Sequence, residues 1–190
     1  MVTPKKREDF LKLIRSRKSV HEFSSRKVKD SDIKKILEAA RWAPSAHNSQ
    51  DWHFIVVKDA GVINSLMRHC YYGSFYESPP MIIAIVAKPV YNDKKGLLQG
   101  NIREYAPTHK YMNVGSVVIT VVYAASSLGI GSCILSLRPA DANKILKVPK
   151  KDETLLLVGL GYEKKGAFAQ KRERKELKDI VSYGSYRGKQ

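Results

Sequence analysis

Cysteine and long apolar runs are scarce in this sequence. Only two cysteines, Cys70 and Cys133, occur among 190 residues, and neither belongs to a CxxC or Cys/His pattern. The sequence therefore predicts neither a disulfide framework nor a metal site. No apolar run approaches the roughly 18 residues of a transmembrane helix, and no apolar segment typical of a secretory signal follows the charged first ten residues. We expect a cytoplasmic protein that does not associate with membranes.

Acidic residues are also few. Lysine and arginine number 34 against 18 acidic residues, which gives a net charge of +16. Such an excess attracts polyanions, either a nucleic acid or a phosphorylated cofactor, although scattered lysines also occur on any solvated surface. Nucleic-acid binding would favour exposed aromatic residues interleaved with basic ones. The aromatic cluster at 71–76 has no basic neighbours at that spacing, so a nucleic-acid partner is not favoured.

Hydrophobic residues make up 43% of the chain, enough for one domain over residues 1–190 with a basic C-terminal arm from about 163. Apolar periodicity predicts helices at 7–17, 33–43, 64–69, 112–128 and 139–146, and strands at 53–58, 81–88 and 154–161. Residues 92–103 lack periodicity and are predicted as a loop or lid. Strands separated by helices indicate an α+β fold, in which a central mixed or antiparallel sheet is flanked by helices. Helix 112–128 is apolar nearly all round, which favours a homodimer.

Two basic segments are candidates for phosphate binding. In "RKSVH", Arg17 and Lys18 supply charge and Ser19 supplies a directional hydroxyl at a helix end. In "KRERK", Arg172 and Arg174 alternate, so both would point the same way in an extended chain. Either segment could instead be a solvated run of charge, and the residues alone leave both interpretations open.

A third candidate is the loop "APSAHNSQDW" between a predicted helix and a predicted strand. The amides of Asn48 and Gln50 each carry donors and an acceptor, which suits the edge of a heterocycle, and Ser45 could contact a phosphate or a hydroxyl. A capped turn with its amides bonded to the backbone is the alternative.

The segment "LGIGSCIL" contains two glycines but not the dinucleotide-binding pattern. Gly129 and Gly131 follow a helix rather than a strand and lack the GxGxxG spacing. A helix end followed by a turn explains them. The backbone after these glycines, near Ser136, is the better candidate for a functional group in this segment.

The order of these segments resembles one known family. The run "SRKSVHEFSSRKV…ILEAARWAPSAHNSQDWHFIVV" is similar to the amino-terminal signature of the FMN-dependent nitroreductases, with its basic-basic-Ser segment and its Ala-Pro-Ser-x-x-Asn-x-Gln-Pro-Trp loop. "AASSLGIGSCIL" and "GLGYEKKG…KRERKELKDIV" resemble that family's helix end, closing strand and basic tail. The resemblance extends over about residues 13–181.

The resemblance implies a nitroreductase-like fold, an FMN cofactor and a homodimer in which two chains build each flavin site. It implies that NADH or NADPH, as a transient substrate, passes a hydride to flavin N5, and that a small electron-poor acceptor such as a nitroaromatic or quinone follows in a ping-pong mechanism. No dedicated catalytic side chain is then required. Relatives of this fold also dehalogenate aromatics or fragment flavin, and the sequence does not separate these activities.

Site residues carry over by position. The implied cofactor-binding residues are Arg17, Lys18, Ser19, His21, Pro44, Ser45, Asn48, Gln50, Ser136, Leu137, Arg172 and Arg174. Three positions depart from the pattern or its usual charge: Asp51 stands where the family usually has proline, Lys18 replaces arginine, and His21 lies where a third cation is frequent. The expected consequences are a changed loop, the loss of bidentate geometry and a charge that depends on pH.

Overall fold

The computed structural model describes residues 3–73, 76–89, 102–168 and 172–186. These residues form five α-helices and four strands, with two short 3-10 turns at Ala46–Asn48 and Leu177–Asp179. In chain order the helices and strands are α1 (Pro4–Ser16), α2 (Asp30–Arg41), β1 (Trp52–Val57), α3 (Ala60–His69), β2 (Met81–Ala87), α4 (Ile102–Ser127), β3 (Gly131–Leu135), α5 (Pro139–Leu146) and β4 (Glu153–Gly161). The α+β prediction is confirmed.

The described strands form one antiparallel sheet in the order β1-β2-β4-β3. Strand β2 lies inside the sheet and is buried at every position, as its continuous apolar run predicts. The sheet has one strand more than the sequence suggested. Residues 131–135, predicted as a turn and a short extended segment, pair with β4 from Gly131↔Gly161 to Leu135↔Leu157.

Two hydrophobic cores cover the two faces of the sheet. Because side chains of a strand alternate between faces, Ile83 and Ile85 of β2 join helices α2 and α4 in one core. Ile82 and Ala84 join α3 and α5 in the other. The sheet is therefore the middle layer of three.

The long helix α4 differs from its prediction in extent and in burial. It begins at Ile102, so the last two residues of the predicted 92–103 loop are helical, while the positions before 102 lie outside the described residues. Val117, Val121 and Ala125 are completely buried, but Tyr111 and Ile119 on the opposite side are 59% and 42% exposed. One face of α4 is thus uncovered in a single chain. Within the described part of the chain, no helix is long and apolar enough to span a membrane.

Candidate functional site

A cavity of about 590 Å³ opens beside the carboxyl end of α1. Residues that lie far apart in the sequence line it, and most of them are polar or charged. They are Arg17, Lys18, Ser19, His21, Glu22, Tyr76, Glu77, Phe168, Arg172 and Arg174. The structure therefore brings the two predicted phosphate-binding segments together within one chain.

The segment after α1 is held as an extra strand-like edge of the sheet. Arg17 caps α1 through its backbone N–H, which donates to Leu13 O at 3.1 Å. Ser19 then pairs with Ser132 of β3, and the Val20 N–H donates to Ser132 O at 2.9 Å. A Cβ on Gly131 would lie 2.6 Å from Cγ2 of Val20, so a glycine is required for this close approach.

The first part of the C-terminal arm follows the same segment. The Lys164 N–H donates to Glu22 O at 3.0 Å, and the Phe168 N–H donates to Glu22 Oε1 at 3.2 Å. Farther along, Nη1 of Arg172 lies against the carbonyl oxygens at the end of α1. The arm is irregular in structure, yet these contacts attach it to the wall of the cavity.

The cationic groups of the cavity differ in how they are compensated. Lys18 Nζ is 2.5 Å from Glu163 Oε1, so this lysine already has an acidic partner. Among the described residues, the side chains of Arg17 and Arg174 have no acidic partner in an ion pair. The two arginines are therefore the groups best placed to attract an anion to the cavity.

His21 contributes an aromatic surface rather than a permanent charge. Its ring centroid is 4.1 Å from that of Tyr76 in an edge-to-face arrangement. Burial disfavours the charged imidazolium and lowers the pKa of His21 from its usual value. At neutral pH this side chain is mainly a neutral hydrogen-bonding group, rather than the cation that the resemblance in sequence leads us to expect here.

The loop at 44–50 is separate from this cavity. None of Pro44, Ser45, Asn48 and Gln50 is among the lining residues. Asn48 and Gln50 adopt left-handed backbone conformations, with φ of 53° and 48°, and the Gln50 Nε2 donates to Asn48 Oδ1 at 3.0 Å. In a single chain the amides of this loop are exposed and bonded to each other.

Asp51 accounts for the shape of that loop. Its side chain turns inward and is 8% exposed. Its Oδ1 accepts hydrogen bonds from Asn113 Nδ2 at 2.6 Å and from Ser49 Oγ at 2.8 Å, while Asn113 Oδ1 accepts from the Ala46 N–H at 2.8 Å. The carboxyl group at this position, where the resemblance in sequence leads us to expect proline, therefore ties the loop to α4.

Ser136 and Leu137 lie at a third place. Ser136 O accepts from the Tyr71 N–H at 3.1 Å, and Leu137, 3% exposed, pairs with Cys70. Neither residue lines the cavity. The structure thus groups the basic residues and His21, but places the amide loop and this turn elsewhere on the chain.

Several residues of the site went unnoticed in the sequence. Glu22, Glu77 and Phe168 line the cavity, and no spacing or motif marked them. Tyr76 also lines it, but was noticed only as part of the aromatic cluster at 71–76. Asn113 is different, because it is a buried amide on the otherwise apolar covered face of α4. A buried polar residue requires a hydrogen-bond partner, so its position in "YMNVGSVV" was an available signal.

An α+β fold with a cationic cavity at the end of its first helix defines a class of proteins, and comparisons identify the family within it. The family model described as Nitroreductase family matches residues 14–71. A protein of Archaeoglobus fulgidus that carries the assignment NADH dehydrogenase/NAD(P)H nitroreductase is 31% identical over 162 residues, covering 83% of this chain and 87% of the relative. The chain belongs to the nitroreductase family.

More distant relatives share the fold. Iodotyrosine deiodinase 1 of Rattus norvegicus is 24% identical over 92% of this chain and 69% of its own. A nitroreductase family protein of Streptococcus pneumoniae superposes with a TM-score of 0.78 at 22% identity, covering 91% of this chain and 98% of the other. An FMN-dependent nitroreductase of Clostridium difficile superposes with a TM-score of 0.71 at 22% identity, over 93% and 99% of the two chains. The predicted nitroreductase-like fold is confirmed.

Proposed function

We propose that this protein is an FMN-dependent oxidoreductase that uses NADH or NADPH to reduce small electron-poor acceptors such as nitroaromatics or quinones. The observation that carries the proposal is the cavity in which Arg17 and Ser19, at the start of the chain, lie together with Arg174, near its end. The assignment NADH dehydrogenase/NAD(P)H nitroreductase of the archaeal relative supports the nicotinamide substrate. The FMN-dependent neighbour from Clostridium difficile supports the cofactor.

The residues of the cavity fit a flavin phosphate. A volume of about 590 Å³ lies within the range of roughly 300–1,000 Å³ that is typical of small-molecule sites. The guanidinium groups of Arg17 and Arg174 can donate paired hydrogen bonds to phosphate oxygens, and the Ser19 hydroxyl adds a directional donor. When bound, the flavin would supply the hydride chemistry. The side chains of this chain would bind and orient it.

We assign the basic residues and the hydroxyl of the two segments to the phosphate, namely Arg17, Lys18, Ser19, Arg172 and Arg174. We assign His21 to the ring or ribityl side of the cavity. Lys18 would have to share its ammonium group between Glu163 and the phosphate, because the ion pair with Glu163 already exists. An ammonium group has three donors and can do so. His21, in edge-to-face contact with Tyr76, would donate or accept a hydrogen bond without adding a fixed charge.

The amide loop and the 136–137 turn would complete the site around the flavin ring. We expect the loop to come from a second copy of the chain. In one chain the loop does not reach the cavity, yet its side chains suit a heterocycle. Apolar side chains that a second copy would cover are exposed on α1 and α4, namely Phe10, Leu11, Tyr111, Met112 and Ile119. We therefore propose a homodimer in which the basic residues of one subunit and the loop of the other hold the same flavin.

Mixing two variants, at an FMN concentration too low to load either one alone, tests this shared site. Arg174→Gln removes a phosphate ligand, and Asn48→Ala with Gln50→Ala removes the loop amides. If the site is shared, co-refolding the two variants restores one intact site in each heterodimer, and up to about a quarter of the parent activity returns. If each chain builds its own site, the mixture stays as inactive as its components.

The cofactor and the activity are tested on the purified protein. We expect a yellow protein that releases FMN on denaturation, or an apoprotein that quenches FMN fluorescence on binding. Under anaerobic conditions, NADH or NADPH should bleach the flavin absorbance, and an acceptor should restore it. A colourless protein that takes up no added FMN would refute the proposal.

Reductive dehalogenation is the second candidate. It is favoured by the similarity to iodotyrosine deiodinase, which extends over 92% of this chain. Adding iodotyrosine to the acceptor panel separates the two candidates. Re-oxidation of the reduced flavin by iodotyrosine with release of iodide supports the deiodinase alternative, and re-oxidation by nitroaromatics or quinones alone supports the first proposal.

A further inference from the structure

We propose that Asp51 and Asn113 are positioning residues of the flavin site, which hold the amide loop in the shape that presents Asn48 and Gln50 to the flavin ring. The inference deepens the proposed function and rests on it. It concerns a position where the resemblance in sequence leads us to expect proline, so it is argued from this chain's own residues.

The amide loop has a backbone shape that is unfavourable for the residues in it. His47, Asn48 and Gln50 have φ of 54°, 53° and 48°, in the left-handed region that residues with a Cβ seldom adopt. Asparagine and histidine tolerate this region better than most residues, whereas glutamine does not share that advantage. Such conformations persist where the surrounding structure enforces them, so we expect contacts from outside the loop to hold it.

Helix α4 provides these contacts. Asn113 Oδ1 accepts a hydrogen bond from the Ala46 N–H at 2.8 Å, and Asn113 Nδ2 donates to Asp51 Oδ1 at 2.6 Å. Four residues earlier, on the same face of the helix, the ring of His109 is in edge-to-face contact with that of His47, with 5.6 Å between the centroids. The loop is thus attached to one helix face near its start and directly after its end.

Burial separates the residues that hold the loop from those that it presents. Asp51 and Asn113 are buried, so their hydrogen bond is shielded from water. Asn48 and Gln50 are exposed. A loop that already has its binding shape avoids the cost of ordering when a ligand arrives. The buried pair would therefore strengthen flavin binding without touching the flavin.

Proline could not replace Asp51 in this loop. Its side chain has no oxygen that could accept from Asn113. Proline also favours an extended conformation in the residue that precedes it, whereas Gln50 has φ of 48°. We therefore expect Asp51→Pro to disrupt the loop, although proline is the residue that the resemblance in sequence suggests here.

Hydrogen exchange of the flavin-free protein, measured by mass spectrometry on peptides that cover residues 45–51, tests whether the pair holds the loop. Asp51→Ala and Asn113→Ala should each speed exchange of the loop amides about tenfold or more, because each change leaves a buried polar partner unpaired. Asn64→Ala is the control, since its amide makes an exposed hydrogen bond with Ser78, and it should leave the loop unchanged. Parent-like exchange of the loop in both test variants overturns the proposal.

Titration with FMN and with riboflavin, which has the ring but lacks the phosphate, tests the effect on the cofactor. Each variant is measured below its unfolding midpoint. Asp51→Ala and Asp51→Pro should weaken the binding of both flavins by a similar factor of about ten, because only molecules with a formed loop bind well. Asp51→Asn keeps an oxygen acceptor and should stay within about threefold of the parent. If Asp51→Pro binds both flavins as tightly as the parent does, the proposal is wrong.

A double-mutant cycle separates positioning from a general loss of stability. Asn48→Ala with Gln50→Ala removes the amides that the loop presents. Adding Asp51→Ala to this variant should weaken riboflavin binding by less than about twofold more, because no amide is left to position. If the losses multiply instead, Asp51 does not act through the loop amides and the proposal fails.

The two proposals fail separately. If the parent protein binds neither FMN nor riboflavin, the proposed function is refuted, while hydrogen exchange of the flavin-free chain still decides whether Asp51 and Asn113 hold the loop.

Discussion

Replacing Asn113 of α4 by alanine should destabilise the protein, because this side chain holds the amide loop. Asn113 is 2% exposed and makes three hydrogen bonds, to the Ala46 N–H at 2.8 Å, Ser49 Oγ at 3.1 Å and Asp51 Oδ1 at 2.6 Å. Two neutral bonds at about 1 kcal/mol each and one to a carboxylate oxygen at about 1.5–3 kcal/mol give a loss of roughly 3–5 kcal/mol. Oδ2 of Asp51 already lacks a hydrogen-bond partner among the described residues. The truncation would leave Ser49 as the remaining side-chain donor to Asp51.

Thermal unfolding monitored by circular dichroism measures this loss. At roughly 2–4 °C per kcal/mol for a chain of this size, the midpoint should fall by roughly 6–20 °C. Asn64→Ala is the matched control, because that amide makes an exposed hydrogen bond with Ser78 and should cost less than about 1 kcal/mol. The exchange of Asp51→Asn with Asn113→Asp keeps the acceptor for Ala46 and a bond between the two positions, so it should recover part of the stability. A midpoint within about 2 °C of the parent for Asn113→Ala would show that the network does not hold the loop.

Three further predictions concern the cavity and the second core. Burial raises the pKa of both Cys70 and Cys133 to about 11, so iodoacetamide at pH 8 should leave both thiols of the native protein largely unmodified and alkylate them in denaturant; rapid native labelling would contradict this. Since burial lowers the pKa of His21 below its usual 6.5, the unfolded state takes up the proton first as pH falls. The parent should therefore lose stability below about pH 6.5 more steeply than His21→Gln does, and parallel pH profiles would oppose the argument. Gly131→Ala would place a Cβ 2.6 Å from Val20 Cγ2. The unfolding free energy, measured by denaturant titration, should therefore fall by about 1–3 kcal/mol, and FMN should bind more weakly in a flavin titration. Unchanged values in both titrations would mean that the edge segment tolerates displacement.

The sequence predicted the elements with strong local patterns. Strand β2 is an uninterrupted apolar run, and α5 begins with Pro139 at its first turn, so both could be placed from local rules. Strand β3 was missed as a strand because five residues after a glycine turn carry little periodicity, and its pairing with β4 supplies the missing support. Pairing is a long-range property that no local window contains.

For the candidate site as well, local sequence indicated some features and left others to the tertiary structure. The residue types of the basic segments and the loop, with their order in the chain, indicated which residues matter. The sequence could not indicate that Arg172 contacts the carbonyl oxygens at the end of α1, or that Asp51 turns toward Asn113. Both orientations depend on partners more than 60 positions away in the chain. Side-chain direction follows from what the fold places opposite, and that is decided only by tertiary structure.

These two contacts stabilise the two halves of the candidate site to different degrees. Asp51 and Asn113 are 8% and 2% exposed, so their hydrogen bonds are shielded from water. Moving the loop would break these bonds and cost substantial free energy. Arg172 is exposed and bonds to carbonyl oxygens at the surface, where such contacts are weak and screened by salt. The amide loop is held by buried hydrogen bonds and the basic arm by an exposed contact. The arm is therefore the half of the site that should detach first when the protein is destabilised.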